Sequence, residues 1–181
     1  LAGIEAAALF GRICCQKPVL VVSLCAALDG LVASGKVRQV GVSNFRPWDM
    51  DLLQSAMKTR LSTNQIEISV LENAPFTNGD IAYLQQHRIP PMAWSPLAGG
   101  AIFAPENRAL HDTLAAIAAR QDSNVATLAV AWLMAHPARI MPVMGTNNLQ
   151  RIAQIGKASK LNIDRETWFD ISTAARGEEV P

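Results

Sequence analysis

The sequence has 181 residues, half of them hydrophobic and 17% charged, with a formal net charge of +1. Such a chain is long enough for one domain with its own core, and its near-neutral balance supplies neither a basic field for nucleic acid nor an acidic tail for a basic partner. Cys14, Cys15 and Cys25 show no C-x-x-C spacing, which supports neither a zinc site nor a redox motif and makes a reduced, cytoplasmic setting the default.

Residues 1–25 form an atypical N-terminal segment without a motif. Pro18 to Leu28 is an apolar run behind Arg12 and Lys17. The run reads as a core strand or helix or as the apolar stretch of a signal peptide, and residues 1–25 as sequence not native to the chain; the run is too short to span a membrane. Ala26 to Ser34 predicts an amphipathic helix that stops at Gly35, where glycine suits a helix C-terminus. A strand follows, with Val37, Val40 and Val42 buried and a polar tip at Ser43 and Asn44. Pro47 to Thr59 predicts a helix with Trp48, Leu52, Leu53 and Met57 at helical spacing. Thr63 to Val70 is a second strand, carrying Gln65 and Glu67; Glu67 is read as structural.

Asn78 to His87 predicts a helix capped by Asn78 or Asp80, stopped by Arg88-Ile89-Pro90-Pro91. Pro91 to Gly100 is a third strand running into a Ser-Pro turn and a glycine pair. The loop from Gly99 to Asn107 carries Phe103. Arg108 to Arg120 is a helix with Leu110, Leu114 and Ile117 on one face. Ser123 or Asn124 caps the next, Val125 to Ala135, which is apolar nearly all round and therefore packs deeply. Arg139 to Asn147 is a fourth strand ending in Gly-Thr-Asn. Leu149 to Ala158 and Asp164 to Ala175 are helices, the last expected to cover one end of the fold.

Strand, polar or glycine tip, helix, repeated four times, predicts a parallel α/β fold, in which ligands sit at the C-terminal ends of the strands. The tips supply the candidates, and each also has a plain structural reading. Ser43 and Asn44 could cap the next helix, and Gln65 needs partners wherever it points. Trp94 could be core, and Ser95, Leu97, Gly99 and Gly100 an ordinary turn. Exposed N–H groups beside glycine suit phosphate oxygens. Gly145, Thr146 and Asn147 precede Arg151, whose guanidinium suits phosphate or solvent. His87, His111 and His136 suggest no catalytic triad, and Tyr83, the sole tyrosine, is read as packing.

GKVRQVGVSNF, TNQIEIS, AWSPLAGG and IMPVMGTNNLQRI, followed by LNIDRETWFDI, resemble in order and spacing the aldo-keto reductases, above all their bacterial predicted oxidoreductases. The resemblance covers residues 26–181 and implies the C-terminal half of a (β/α)8 TIM barrel: its last four βα units and a terminal helix. A whole barrel needs roughly 250 residues. The family implies NADPH-dependent reduction of aldehydes or ketones. Ser43, Asn44 and Gln65 would bind the nicotinamide carboxamide and Trp94 would stack on its ring. Ser95, Leu97 and Gly99 would cradle the pyrophosphate. Gly145, Thr146, Asn147 and Arg151 would hold the 2′-phosphate, favouring NADP over NAD, with Gln154 near the adenine. The family's catalytic Asp, Tyr, Lys and His lie on the first half of the barrel and have no matching position here, so no catalytic residue is expected. The implied partner is a small carbonyl substrate, with neither nucleic acid nor membrane. Exposed sheet edges would favour self-association. A nucleotide-binding or partner-binding module without catalysis, or an inactive remnant, is the alternative.

Overall fold

The computed structural model describes residues 18–178. Cys14, Cys15 and the first seventeen residues of the atypical segment lie outside them. The chain divides into two compact units, one running to Ile66 and including Phe76–Met92, the other made of Glu67–Pro75 and everything from Ala93 on. Two of the three divisions, after Ile66 and after Met92, fall within strands.

In the first unit, α1 is one helix, Pro18–Ala33, longer than the predicted Ala26–Ser34. It settles the helical reading for the described part of the apolar run. It ends as the glycine requires. Gly35 takes φ +71°, the Gly35 N–H donates to Val32 O at 3.0 Å and the Lys36 N–H to Leu31 O at 3.1 Å, a paired closure of the last turn. The Val37 N–H is drawn to Leu31 O as well, at 3.4 Å. That bond delays the strand: β1 is only Val42–Ser43, and Val37 is half-buried rather than core, while Val40 and Val42 are buried as expected. β1 pairs in parallel with β2 (Asn64–Glu67), Val42 against Asn64 and Ser43 against Gln65.

Helix α2, Pro47–Ala56, starts where Asp49 accepts from the Arg46 N–H at 3.3 Å. It buries Met50 and Leu53, continued by Met57. Trp48 and Leu52, expected on that face, are instead 68% and 49% exposed. Asp29 of α1 accepts from the Lys58 N–H at 3.0 Å and the Thr59 N–H at 2.8 Å, which ties α1 to the chain after α2 and draws its carboxyl below the usual range. Helix α3, Asp80–Gln86, begins after Gly79, and Asn78 accepts from the Asp80 N–H at 2.9 Å. The nearly buried Asp80 carboxylate also meets Arg46 at 2.9 Å.

In the second unit, the Ile68 N–H donates to Trp94 O at 3.4 Å and the Val143 N–H to Ala93 O at 2.8 Å. These bonds join the end of β2, β3 (Met92–Trp94) and β4 (Met141–Pro142). Helix α4, Arg108–Ala119, buries Leu110, Leu114 and Ile117 as its spacing predicts. Helix α5, Val125–Met134, is capped by Asn124 and buried from Val125 to Leu133 save Ala126. Helix α6, Leu149–Ile155, follows β4, and α7, Arg165–Arg176, runs from its Asp164 cap to Gly177 at φ +73°. α7 packs on α4 and clasps α5. The Trp132 and Trp168 rings stack at 4.9 Å, and each indole N–H donates to the other residue's carbonyl, at 3.0 and 3.1 Å.

Candidate cofactor site

The second unit contains a cavity of about 980 Å³. Trp94, Ser95, Leu97, Gly99, Gly145, Thr146, Arg151 and Gln154 line it. The tips of β3 and β4 and the first turns of α5 and α6 thus contribute to one hollow.

Its first wall follows β3. Trp94 ends the strand half-buried, and Ser95 turns the chain at φ +48°. Ala98, Gly99 and Gly100 then take φ +51°, +62° and +100°, with the Ala98 N–H on Ser95 O at 2.7 Å and the Gly100 N–H on Leu97 O at 2.9 Å. Only glycine takes such angles without strain, so the glycine pair is a backbone requirement. Ser95 and Ala98 hold them as non-glycine residues, a strain that clusters at ligand-binding turns.

The second wall follows β4. Thr146 Oγ1 accepts from the Asn148 N–H at 3.2 Å, and Asn148 caps α6 by accepting from the Arg151 N–H at 3.0 Å. Arg151 and Gln154 project from this exposed helix. Leu97, Met144 and Ile155, which also line the cavity, pack behind it on buried Val130, Ala131 and Ala158. A polar surface therefore rests on an apolar backing.

Electrostatically the cavity is one-sided. No aspartate or glutamate is among its lining residues, and Arg151 and His111 are the ionisable groups that are. His111 sits beside the Phe103 ring at 6.1 Å and the Asp112 carboxylate at 3.5 Å. Arg108 foremost, then His111, holds Asp112 below the usual carboxylate range.

Asn147 is not among the lining residues. Ser43, Asn44 and Gln65 belong to the first unit. There the Ser43 hydroxyl donates to Gln65 O at 3.0 Å, and Asn44, at φ +57°, donates its N–H to the same carbonyl at 3.0 Å. Sequence reasoning missed buried Asn64 beside them. Its Nδ2 donates to Phe45 O at 2.8 Å and its Oδ1 accepts from the Phe45 N–H at 3.3 Å, holding the tip from both sides. It also missed His111 and Asn124 as cavity residues. Asn124 was legible only as a cap, and nothing in the pattern around His111 marks it.

Tyr83 lies on α3 with its hydroxyl on Asp51 Oδ1 at 2.5 Å and its ring 4.1 Å from that of His87. Burial, then the Asp51 bond and charge, push it up to about 12. Glu67 is pushed up by burial, with Glu72 adding, and does not line the cavity. Among the described residues no cluster of His, Cys, Asp and Glu could hold a metal ion, and no helix is long and apolar enough to cross a membrane.

Successive βα units with a cavity at strand tips define an α/β chain of the kind that closes a hollow at its strand ends. A model of the Aldo/keto reductase family matches residues 13–176, and the chain belongs to that family. It is 56% identical over 154 residues to a 6-dehydroglucose reductase of Agrobacterium fabrum, covering 85% of this chain and 52% of the relative. It is 41% identical over 157 residues to a 6-dehydroglucose reductase of Novosphingobium aromaticivorans, with the same 85% and 52% coverage. An aldo-keto reductase from Klebsiella pneumoniae in complex with NADPH superimposes with a TM-score of 0.73 at 25% identity, over 96% of this chain and 58% of that one. The chain spans about half the length of the curated relatives it matches.

Proposed function

We propose that the cavity of the second unit binds NADPH, and that the chain serves a reductase of aldehydes and ketones. The observation that carries this reading is the convergence on one cavity of an aromatic ring, a left-handed glycine turn and a guanidinium, with no carboxylate among the lining residues. A dinucleotide carries a flat heteroaromatic ring and two anionic groups, and this lining complements it. Trp94 stacks on the nicotinamide. Ser95, Leu97 and Gly99 receive the pyrophosphate. Arg151, with Gly145 and Thr146, receives the 2′-phosphate, and Gln154 lies at the adenine; a 2′-phosphate role for Asn147, outside the lining, rests on the family's pattern alone. The carboxamide role of Ser43, Asn44 and Gln65 rests on the family's pattern alone.

When bound, the nicotinamide supplies the hydride. This chain's residues bind and orient it, and none is assigned as proton donor; Tyr83, held protonated to about 12, lines no part of the cavity. Two relatives are named for 6-dehydroglucose reduction, and that sugar is the first carbonyl compound to assay.

The test is a fluorescence titration of the purified chain with NADPH and with NADH. Saturable NADPH binding is expected. Arg151→Ala loses a charge-assisted contact and weakens NADPH by roughly ten- to a hundredfold while barely affecting NADH. Absence of saturable binding overturns the reading.

A further inference from the structure

We propose that Asn124 contacts the ligand's nucleobase as a hydrogen-bond donor, and that Thr127 is the residue that positions it. The inference rests on the dinucleotide reading of the cavity. It starts from the polarity of one amide. Asn124 Oδ1 accepts from the Thr127 N–H at 3.0 Å. A backbone N–H only donates, so the side-chain atom facing it has to be the oxygen, and the orientation of the amide follows from chemistry. The other end, Nδ2, brings two N–H donors and has no hydrogen-bond partner among the described residues. Asn124 is exposed and lines the cavity. To a ligand it therefore offers donors only.

Thr127 fixes where those donors stand. Its hydroxyl lies 3.1 Å from Asn124 Oδ1 and 3.3 Å from Gln154 O, in a residue only 1% exposed. One hydroxyl proton is shared between two acceptors, so the group ties the first turn of α5 to α6. Gln154 and Arg151 stand three residues apart on α6, and both line the same cavity. Asn124 thus belongs to the Arg151–Gln154 end. What a dinucleotide presents there besides its 2′-phosphate is adenine, whose ring nitrogens are acceptors. Donor meets acceptor.

Asn124→Ser keeps a side-chain oxygen for the Thr127 N–H, so the cap survives, but it cannot reach with an amide. It should melt with wild type and bind both NADPH and NADH roughly three- to tenfold more weakly. Thr127→Val should weaken both ligands likewise, and Thr127→Ser should restore them. A purely structural role would move the melting temperature and leave affinity alone. Asn124→Ser binding both ligands like wild type overturns the assignment. So does a loss confined to NADPH, which would place the contact on the 2′-phosphate. If wild type binds neither dinucleotide, the cavity reading itself falls; if wild type binds and the variants bind equally, only Asn124 and Thr127 are reassigned.

Discussion

Gly41→Ala tests the packing of β1 on β2. A Cβ at residue 41 would stand 2.6 Å from Thr63 Cγ2 and 2.9 Å from Thr63 O. Carbon atoms rest at about 3.5–4.0 Å, so the strands must part by roughly 1 Å. Two ladder bonds bracket the contact, Ser62 N–H to Val40 O at 2.9 Å and Val42 N–H to Thr63 O at 3.0 Å, and such a shift lengthens both past useful range. Overpacking costs about 1–3 kcal/mol. A lost backbone bond adds about 0.5–1.5 kcal/mol. With both bonds lost, the substitution should therefore destabilise the chain by about 2–6 kcal/mol, read as a lower urea midpoint. The double variant Gly41→Ala, Thr63→Ser is the sharper experiment. Serine keeps the Oγ bond to Pro90 O, 2.8 Å in the native chain, and removes only the methyl. The carbonyl contact persists, so part of the loss, and only part, should return. A single variant within about 0.5 kcal/mol of wild type, the usual range for inert substitutions, refutes the steric argument.

Tyr83 is the chain's one tyrosine, so a spectrophotometric tyrosinate titration reads it alone. The midpoint should fall near 12, and Asp51→Asn should bring it only part of the way back towards 10, because burial remains the larger cause. Burial lowers His136 from 6.5, so folding favours its neutral form. The resulting stability is complete above 6.5 and is lost as the pH falls through the folded value; His136→Asn should flatten that part of a stability–pH profile, and an unchanged slope would discard the assignment. Trp168→Phe keeps a stacking ring but leaves Trp132 O without its indole donor, 3.1 Å away in the native chain. It should cost about 1–3 kcal/mol, or roughly 2–12 °C in melting temperature. An unaltered melt would mean that the clasp contributes nothing.

Helix ends were the most legible feature, because they are set by residues with local chemistry. Gly35, Asn124 and Asp164 act where the sequence puts them. Strand lengths were not legible. Valine spacing says what favours a strand, while Val37 is claimed by the closure of the preceding helix. The face of α2 was misread for a related reason. Trp48 and Leu52 form one apolar row and Met50, Leu53 and Met57 another, and hydrophobicity does not say which row meets a neighbour. At the cavity, most expected residues announce themselves as strand tips, and Arg151 and Gln154 as the helix directly after one. His111 and Asn124 reach it from helices whose sequences carry only the signals of a surface imidazole and a cap. Their proximity is a product of folding, invisible to spacing.

The double bond pattern between Asn64 and Phe45 has a bearing on transplantation. The bend after Ser43 is supported by a side chain from the following strand as well as by its own Ser43 hydroxyl. Moving Ser43, Asn44 and Phe45 into another protein would carry the letters without the shape. The smallest portable piece is the loop together with Asn64, and a designer who varies that asparagine edits the loop from a distance of nineteen residues.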